Sequence, residues 1–257
     1  MRATLTVLGS GTSMGVPTIG CDCAVCRSPD ARDRRTRPSV TIGYNGRHVL
    51  IDTTPDFREQ ALRENITQLD AVLYTHTHAD HILGIDDLRP LTYRHKPGKL
   101  PLYATPRNCE FLRNMFRYIF EAEYKFGGLP LVELRPIEGA VELFGARFEP
   151  VTVIHGETPI LGFRFGSAAY LTDHSQVPPE TLEKLRDLDI LFLDALRYKP
   201  HPTHSTVEQS LKIVDAVKPK RTFFTHICHD LPHQATNAAL PTGVQLAFDG
   251  MKLEFEI

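Results

Sequence analysis

Residues 74–84 read YTHTHADHILG and crowd His76, His78, Asp80 and His81 into six positions. Imidazole nitrogen and carboxylate oxygen are ligands suited to zinc, manganese or iron. The preceding AVLYTH is apolar and β-prone, so His76 is expected at a strand end. Side chains two apart on an extended backbone point to one side, which brings His76 and His78 together. The chain must then turn, and Asp80 and His81 approach from another direction. Lone histidines are usually surface or hydrogen-bonded core residues, but four ligand-type groups in one turn are better explained by a metal. Further ligands stand in matching places: VTVIHGE ends a strand on His155, AYLTDHS on Asp173 and RTFFTHICH on His226. Each is weak alone; their shared position after a strand joins them to the 76–81 cluster.

A second constellation is CDCAVC, with Cys21, Cys23 and Cys26 spaced as metal ligands in a reducing compartment. Spacing alone leaves Cys228 and His229, both in HICH, open as the fourth ligand. Five cysteines, an odd count in a long chain, argue against a disulfide framework. Cys109 lies in a helical stretch and reads as a small buried apolar residue. Asp52, after HVLI, is expected to hydrogen-bond to the 76–81 loop rather than to bind metal. The glycines of GSGTSMG suit a phosphate cradle or, more commonly, a tight turn. The basic run ARDRRTRP at 31–38 reads as a solvated loop, with substrate-phosphate binding as the second reading.

The elements that must position these groups are mostly strands. They are expected at 3–9, 39–44, 48–53, 71–76, 100–104, 146–155, 160–166, 168–173, 190–195, 221–226 and 251–257, from β-branched and aromatic runs bounded by Gly, Pro, Asn or Asp. Helices are expected at 56–65, 107–122, 178–187 and 205–217, the last opened by a capping box, Ser205-x-x-Glu208, directly after His204. Within 109–126, Leu112, Met115, Phe116, Ile119 and Phe120 recur at helical spacing, as core or a lid over the site, with a homodimer interface as the second reading. Strands outnumber helices and run consecutively, which favours mixed sheets flanked by helices over simple βαβ alternation. Neither a linker nor an internal repeat stands out, so residues 1–257 read as one domain.

Bulk composition narrows the classes further. Of 257 residues, 42% are hydrophobic and 23% charged, as in ordinary globular proteins. A net charge of −2 supplies no field to gather nucleic acid or anionic lipid. No apolar run approaches the roughly 18–20 residues that span a bilayer. The alternating N-terminus MRATLTVLGSGTSMGVP reads as a strand rather than a signal peptide, leaving the cytoplasm as the expected compartment.

His-x-His-x-Asp-His, followed by His155, Asp173 and His226 after strands, resembles the metallo-β-lactamase superfamily of hydrolases. The resemblance implies an α/β (α+β) fold, the four-layer αβ/βα sandwich, with metals at one edge of two facing mixed sheets. It implies that His76, His78 and His155 hold one divalent ion, that Asp80, His81 and His226 hold the other, and that Asp173 bridges them. Flavodiiron oxidoreductases carry glutamate where this chain has His78, so the redox branch is not expected. LGSGTSMGVPTIGCDCAVC and ALPTGVQLAFDGM are similar to the PhnP-type branch, the 5-phosphoribosyl 1,2-cyclic phosphate phosphodiesterases. In that branch three cysteines hold a structural zinc, and the resemblance favours His229 over Cys228 beside Cys21, Cys23 and Cys26.

The function so implied is hydrolysis of a small cyclic phosphodiester. Two active-site dications, Mn2+ or Zn2+, lower the pKa of a water held between them, and the resulting hydroxide attacks phosphorus. Asp80 and Asp173 orient it. His204, in the HST segment shared with other phosphodiesterases of the superfamily, is the candidate general acid for the departing alkoxide. The expected partner is a small-molecule phosphodiester, without nucleic acid or membrane. Two alternatives remain: a tRNase Z-like endonuclease, disfavoured by charge and by the lack of a basic insertion, and a non-catalytic metal-binding member of the fold.

Overall fold

Short β-branched and aromatic runs pair into two mixed sheets of seven strands each. The computed structural model describes residues 1–93, 98–121 and 128–257. One sheet contains β1 (Arg2–Gly9), β2 (Ser39–Tyr44), β3 (Arg47–Ile51), β4 (Ala71–Leu73), β5 (Leu100–Ala104) and β6 (Val132–Pro136) in that order. The second contains β7 (Val141–Leu143), β8 (Ala146–His155), β9 (Thr158–Phe165), β10 (Ala168–Leu171), β11 (Ile190–Asp194), β12 (Arg221–Thr225) and β13 (Val244–Leu246). The last strand, β14 (Lys252–Glu256), returns to pair antiparallel with β1. Each sheet is half antiparallel and half parallel, with β3 to β6 and β10 to β13 forming the parallel halves.

The helices are α1 (Phe57–Arg63), α2 (Ala79–Ile82), α3 (Arg89–Thr92), α4 (Pro106–Met115), α5 (Arg117–Phe120), α6 (Pro179–Lys184), α7 (Val207–Val217) and α8 (His233–Ala239). Three apolar layers hold them to the sheets. Leu5, Val7 and Ile42 of the first sheet meet Phe148, Phe163 and Phe192 of the second between the sheets. Leu50, Val72 and Leu102 pack outward on Phe57 and Leu112, while Leu191, Leu193 and Phe224 pack outward on Val207 and Leu211. The parallel strands are thus buried on both faces, which is why AVL and ILFL are continuous rather than alternating apolar runs. The resulting order, helix–sheet–sheet–helix, is the four-layer sandwich.

Several local expectations shift. β4 ends at Leu73, so His76 lies in the loop after the strand rather than on its last residue. The expected 107–122 helix divides at Phe116 into α4 and α5, and residues 122–127 lie outside the described residues. Leu112 and Phe116 belong to the core, whereas Met115 is exposed. The capping box of α7 is one residue later than expected: Thr206 accepts from Gln209 N–H and the Gln209 side chain accepts from Thr206 N–H. Ser205 instead meets buried His174, its Oγ lying 3.0 Å from Nδ1. The 31–38 run is solvated only in part: Ala31, Arg32 and Arg34 are exposed, whereas Arg35 is fully buried, donating to Asp33 and to the Cys228 and Leu231 carbonyls. Of the glycines before it, Gly9 answers to packing, since a Cβ there would stand 1.9 Å from the Arg37 carbonyl oxygen, while Gly15, at φ 66°, sits in a turn closed by its N–H on the Thr12 carbonyl.

Candidate metal centre

Parallel strands open their C-terminal ends at one edge of a sheet, and loops leaving that edge commonly build sites. Here the loop after β4 supplies His76, His78 caps α2, and α2 itself carries Asp80 and His81. From the second sheet, His155 is the last residue of β8, Asp173 follows β10 and His226 follows β12. Asp173 and His226 adopt left-handed backbone, φ 55° and 56°, as does Asp52 at 65°. Such conformations cost about 1–3 kcal/mol outside glycine and persist where surrounding structure enforces them, often at functional sites.

The seven side chains converge. Donor atoms of His76, His78, His155 and Asp173 lie within 4.8 Å of one another, as do those of Asp80, His81, Asp173 and His226. Asp173 belongs to both groups: its Oδ1 is 3.2 Å from His81 Nε2 and its Oδ2 is 3.2 Å from His226 Nε2. All are buried except His78.

Partners behind the rings decide which nitrogen faces inward. The Thr203 carbonyl can only accept, so His155 Nδ1 is the donor to it at 2.8 Å. Asp52 accepts from His81 Nδ1 at 2.7 Å, and also from the Thr75 N–H and hydroxyl. With its own proton so used, Thr75 Oγ1 accepts from His76 Nδ1 at 3.0 Å. Each arrangement leaves Nε2 as a lone-pair donor toward the centre, the usual support of a metal-ligating histidine.

A metal fits this centre on two grounds. Among the described residues, the inward atoms His76 Nε2, Asp80 Oδ2, His81 Nε2 and His226 Nε2 are buried without hydrogen-bond partners, a costly state unless a cation satisfies them. The charge balance agrees. Burial alone would raise the Asp173 carboxyl, yet His226 and His81 hold it well below the usual carboxylate range. Burial opposes charge on His226, but Asp173 and Asp80 push it up to about 10. The carboxylates thus draw positive charge inward, which dications would supply in place of protons.

Beside the centre, the His204 ring stacks on His226 at 4.4 Å between centroids, and its Nδ1 donates to Asp194 Oδ2 at 2.6 Å. Sequence reasoning passed over Asp194; its signal is an acid closing the buried apolar strand ILFLD. His174 was passed over too, and Arg35 enters only as part of the basic 31–38 run; no local pattern marks either as buried.

The cysteine cluster lies elsewhere. His229 Nδ1 stands 3.2, 3.6 and 3.4 Å from the sulfurs of Cys21, Cys23 and Cys26. Tetrahedral zinc with ordinary bond lengths places such sulfur and nitrogen atoms about 3.5 Å apart. Cys228 is not part of the group; its sulfur accepts from the Asp230 N–H. The Cys26 N–H, donated to Cys23 Sγ, pulls the Cys23 thiol down toward the thiolate a metal requires. Cys109 lies on the buried face of α4, apart from both groups.

Known proteins place the chain. A model described as a beta-lactamase superfamily domain matches residues 47–227. A crystallographically solved diphosphatase from the PhnP family is 62% identical, with TM-score 0.94, covering 99% of this chain and 98% of that one. Zn(2+)-bound PqqB from Methylobacterium extorquens is 19% identical with TM-score 0.81, covering 97% of this chain and 99% of that one, a likeness of fold. An octanoyltransferase of Porphyromonas gingivalis is 39% identical over 251 residues, which are 96% of this chain but 50% of that protein. The chain therefore spans about half the length of that curated relative.

Proposed function

The chain belongs to the PhnP family of the beta-lactamase superfamily, and from that membership we propose that it hydrolyses a phosphoryl bond in a small molecule at a site for two divalent cations. The observation that carries the reading is the gathering of seven ligand-type side chains around unpartnered inward atoms, next to the His204–Asp194 pair. His76, His78 and His155 would hold one ion, Asp80, His81 and His226 the other, and Asp173 both, with zinc or manganese equally served by this donor set. The chemistry two dications supply in such a site is polarised phosphoryl oxygens and a lowered pKa for water. A third ion, zinc, would be held by Cys21, Cys23, Cys26 and His229, with no open position and so a structural role.

The chain's own residues do the rest. Asp52 and the Thr203 carbonyl orient the ligating rings. Asp80 and Asp173 aim the attacking water through their remaining lone pairs. Asp194 holds the His204 proton on Nδ1, leaving Nε2 to carry a proton to the departing oxygen. That role fits a cyclic phosphodiester such as 5-phosphoribosyl 1,2-cyclic phosphate, whose leaving group is an alkoxide. The 62%-identical diphosphatase favours a second reading, cleavage of a diphosphate, whose leaving phosphate needs less protonation.

One panel separates these readings: the cyclic phosphate, a nucleoside diphosphate, bis-p-nitrophenyl phosphate and a precursor tRNA, with metal analysis on the same sample. Turnover of a small phosphoryl substrate is expected. Metal-loaded protein that cleaves none of the small esters or anhydrides would overturn the proposal, and cleavage of the tRNA alone would point to the endonuclease.

A further inference from the structure

The centre opens into a cleft of about 660 Å³ between α4 and the β8–β9 strands. We propose that this cleft takes the arm of the substrate that stays bonded to phosphorus, and that the arm is a nucleoside-type group carrying a second phosphate. The inference rests on the phosphoryl-hydrolase reading above and names its substrate class.

Sidedness is the first argument. The cleft is lined by His76, His78 and His155, but His204 and His226 are not in its lining. His155 stands between: its ring is 5.0 Å from His78 and 4.7 Å from His204. An oxygen that leaves with a proton from His204 departs on the far side of His155. In an acyclic ester or anhydride, whatever fills the cleft therefore belongs to the retained group.

Size is the second. Pockets of roughly 300–1,000 Å³ suit ligands of drug-like size. A bare cyclic phosphate anchored at the metal centre would leave most of this space to solvent.

The lining supplies the chemistry. Phe111 on α4 is 45% exposed and lines the cleft together with Ile160. An exposed aromatic face beside an aliphatic wall suits a flat ring, and stacking on such a face tolerates any base. Asn108 and Asn114 offer amide donors and acceptors for ring edges or hydroxyls. Among the described lining residues, Arg107 is the one fixed cation and Glu110 the one carboxylate. Arg107, in the first turn of α4, can take a phosphate in bidentate fashion. Glu110, one turn on, would disfavour an anion deeper in and accept from a hydroxyl or amine instead.

Three esters with one leaving group test this: methyl p-nitrophenyl phosphate, thymidine 5′-(p-nitrophenyl phosphate) and its 3′-phosphorylated form. All lose p-nitrophenolate, so only the retained arm changes. Each added piece should raise kcat/KM about tenfold, as one stacking or one paired phosphate can supply. Phe111→Ala should erase the first gain and Arg107→Ala the second. Equal kcat/KM on all three esters, or gains untouched by both substitutions, would overturn the inference. Cleavage of none of them would overturn the inference too, and the hydrolase reading falls only if the cyclic phosphate and the nucleoside diphosphate are untouched as well. Calorimetry with thymidine 3′,5′-bisphosphate reads the cleft independently of turnover: about tenfold weaker binding to Arg107→Ala supports the assignment, and absent binding, or equal binding to all three proteins, refutes it.

Discussion

His204 separates the cyclic-ester reading proposed for this site from the diphosphate reading. It is 9% exposed, stacked on His226 and held through Nδ1 by Asp194, so Nε2 is its one free nitrogen. His204→Ala should retain both active-site ions yet lose about 10²–10⁴ in kcat on a cyclic ester, the usual reach of general acid catalysis. Loss on a p-nitrophenyl ester or a diphosphate should be far smaller, because those groups leave with little protonation. An equal loss on every substrate would remove the acid role. Asp52 argues differently, since it touches His81 and not the substrate. Asp52→Asn should weaken metal retention about 10–100-fold, the range seen when an outer hydrogen bond to a ligating ring is lost. Titration against a chelator of known affinity measures this, and unchanged retention would refute it. The inward ligands are legible as residue types in a short register. Asp194, the Thr203 carbonyl and Arg35 are not, because their roles arise only when distant strands place a buried charge or a backbone oxygen behind a ring.

At the scale of elements, the segment from His226 to His229 ties the two metal-type clusters together. Ile227 N–H donates to the Ser10 carbonyl, Thr12 N–H donates back to Ile227, and Arg35 grips the Cys228 and Leu231 carbonyls. Cys23→Ser should therefore lower Tm and remove about one equivalent of tightly held zinc, while leaving the shape of the pH–rate profile alone. Lost turnover at unchanged Tm would assign that cluster to catalysis. Helix α8 begins on His233, whose backbone N–H donates to Asp33 and whose ring is buried. Burial, then Arg32 and Arg35, push its imidazole down to about 4 from an ordinary value of 6.5. The unfolded chain thus takes up a proton that the folded chain refuses, so stability falls as pH drops from 6.5 toward 4. The contribution is on the order of 2–3 kcal/mol at the acid end. His233→Gln should shrink the Tm loss between pH 7 and 4.5; an unchanged loss would show that the ring does not titrate against folding. The long strands and α7 are readable from periodicity. β6, β7 and β13 are not, being the short outer strands of their sheets, with polar residues such as Glu133, Arg135 and Glu142 that keep edges from pairing further.

Across the whole molecule, the candidate centre joins two halves that also meet through apolar packing, the group of Cys21, Cys23, Cys26 and His229, and hydrogen bonds such as those from Arg35 to the Cys228 and Leu231 carbonyls. His76, His78, Asp80 and His81 hang from the first sheet, and His155, Asp173 and His226 from the second. The four-layer order itself follows from sequence, since strands buried on both faces require helices on the outside and another sheet within. Which strand ends face each other does not, because it depends on sheet twist and on β14 returning to β1. Ions held by donors from both sheets would act as a cross-link, so stripping them should destabilise the fold as well as silence it. At free metal about 100-fold above Kd, each site stabilises the native state by about 2.7 kcal/mol, or roughly 5–11 °C in Tm for a chain of this size. Asp173 touches both groups, so Asp173→Asn should abolish most of that metal-dependent rise. The same substitution strips His81 and His226 of the carboxylate that pairs with them, so the metal-free Tm should fall as well. Melting curves with and without manganese or zinc decide it: an identical metal-dependent rise in wild type and variant would mean that Asp173 does not link the two ions.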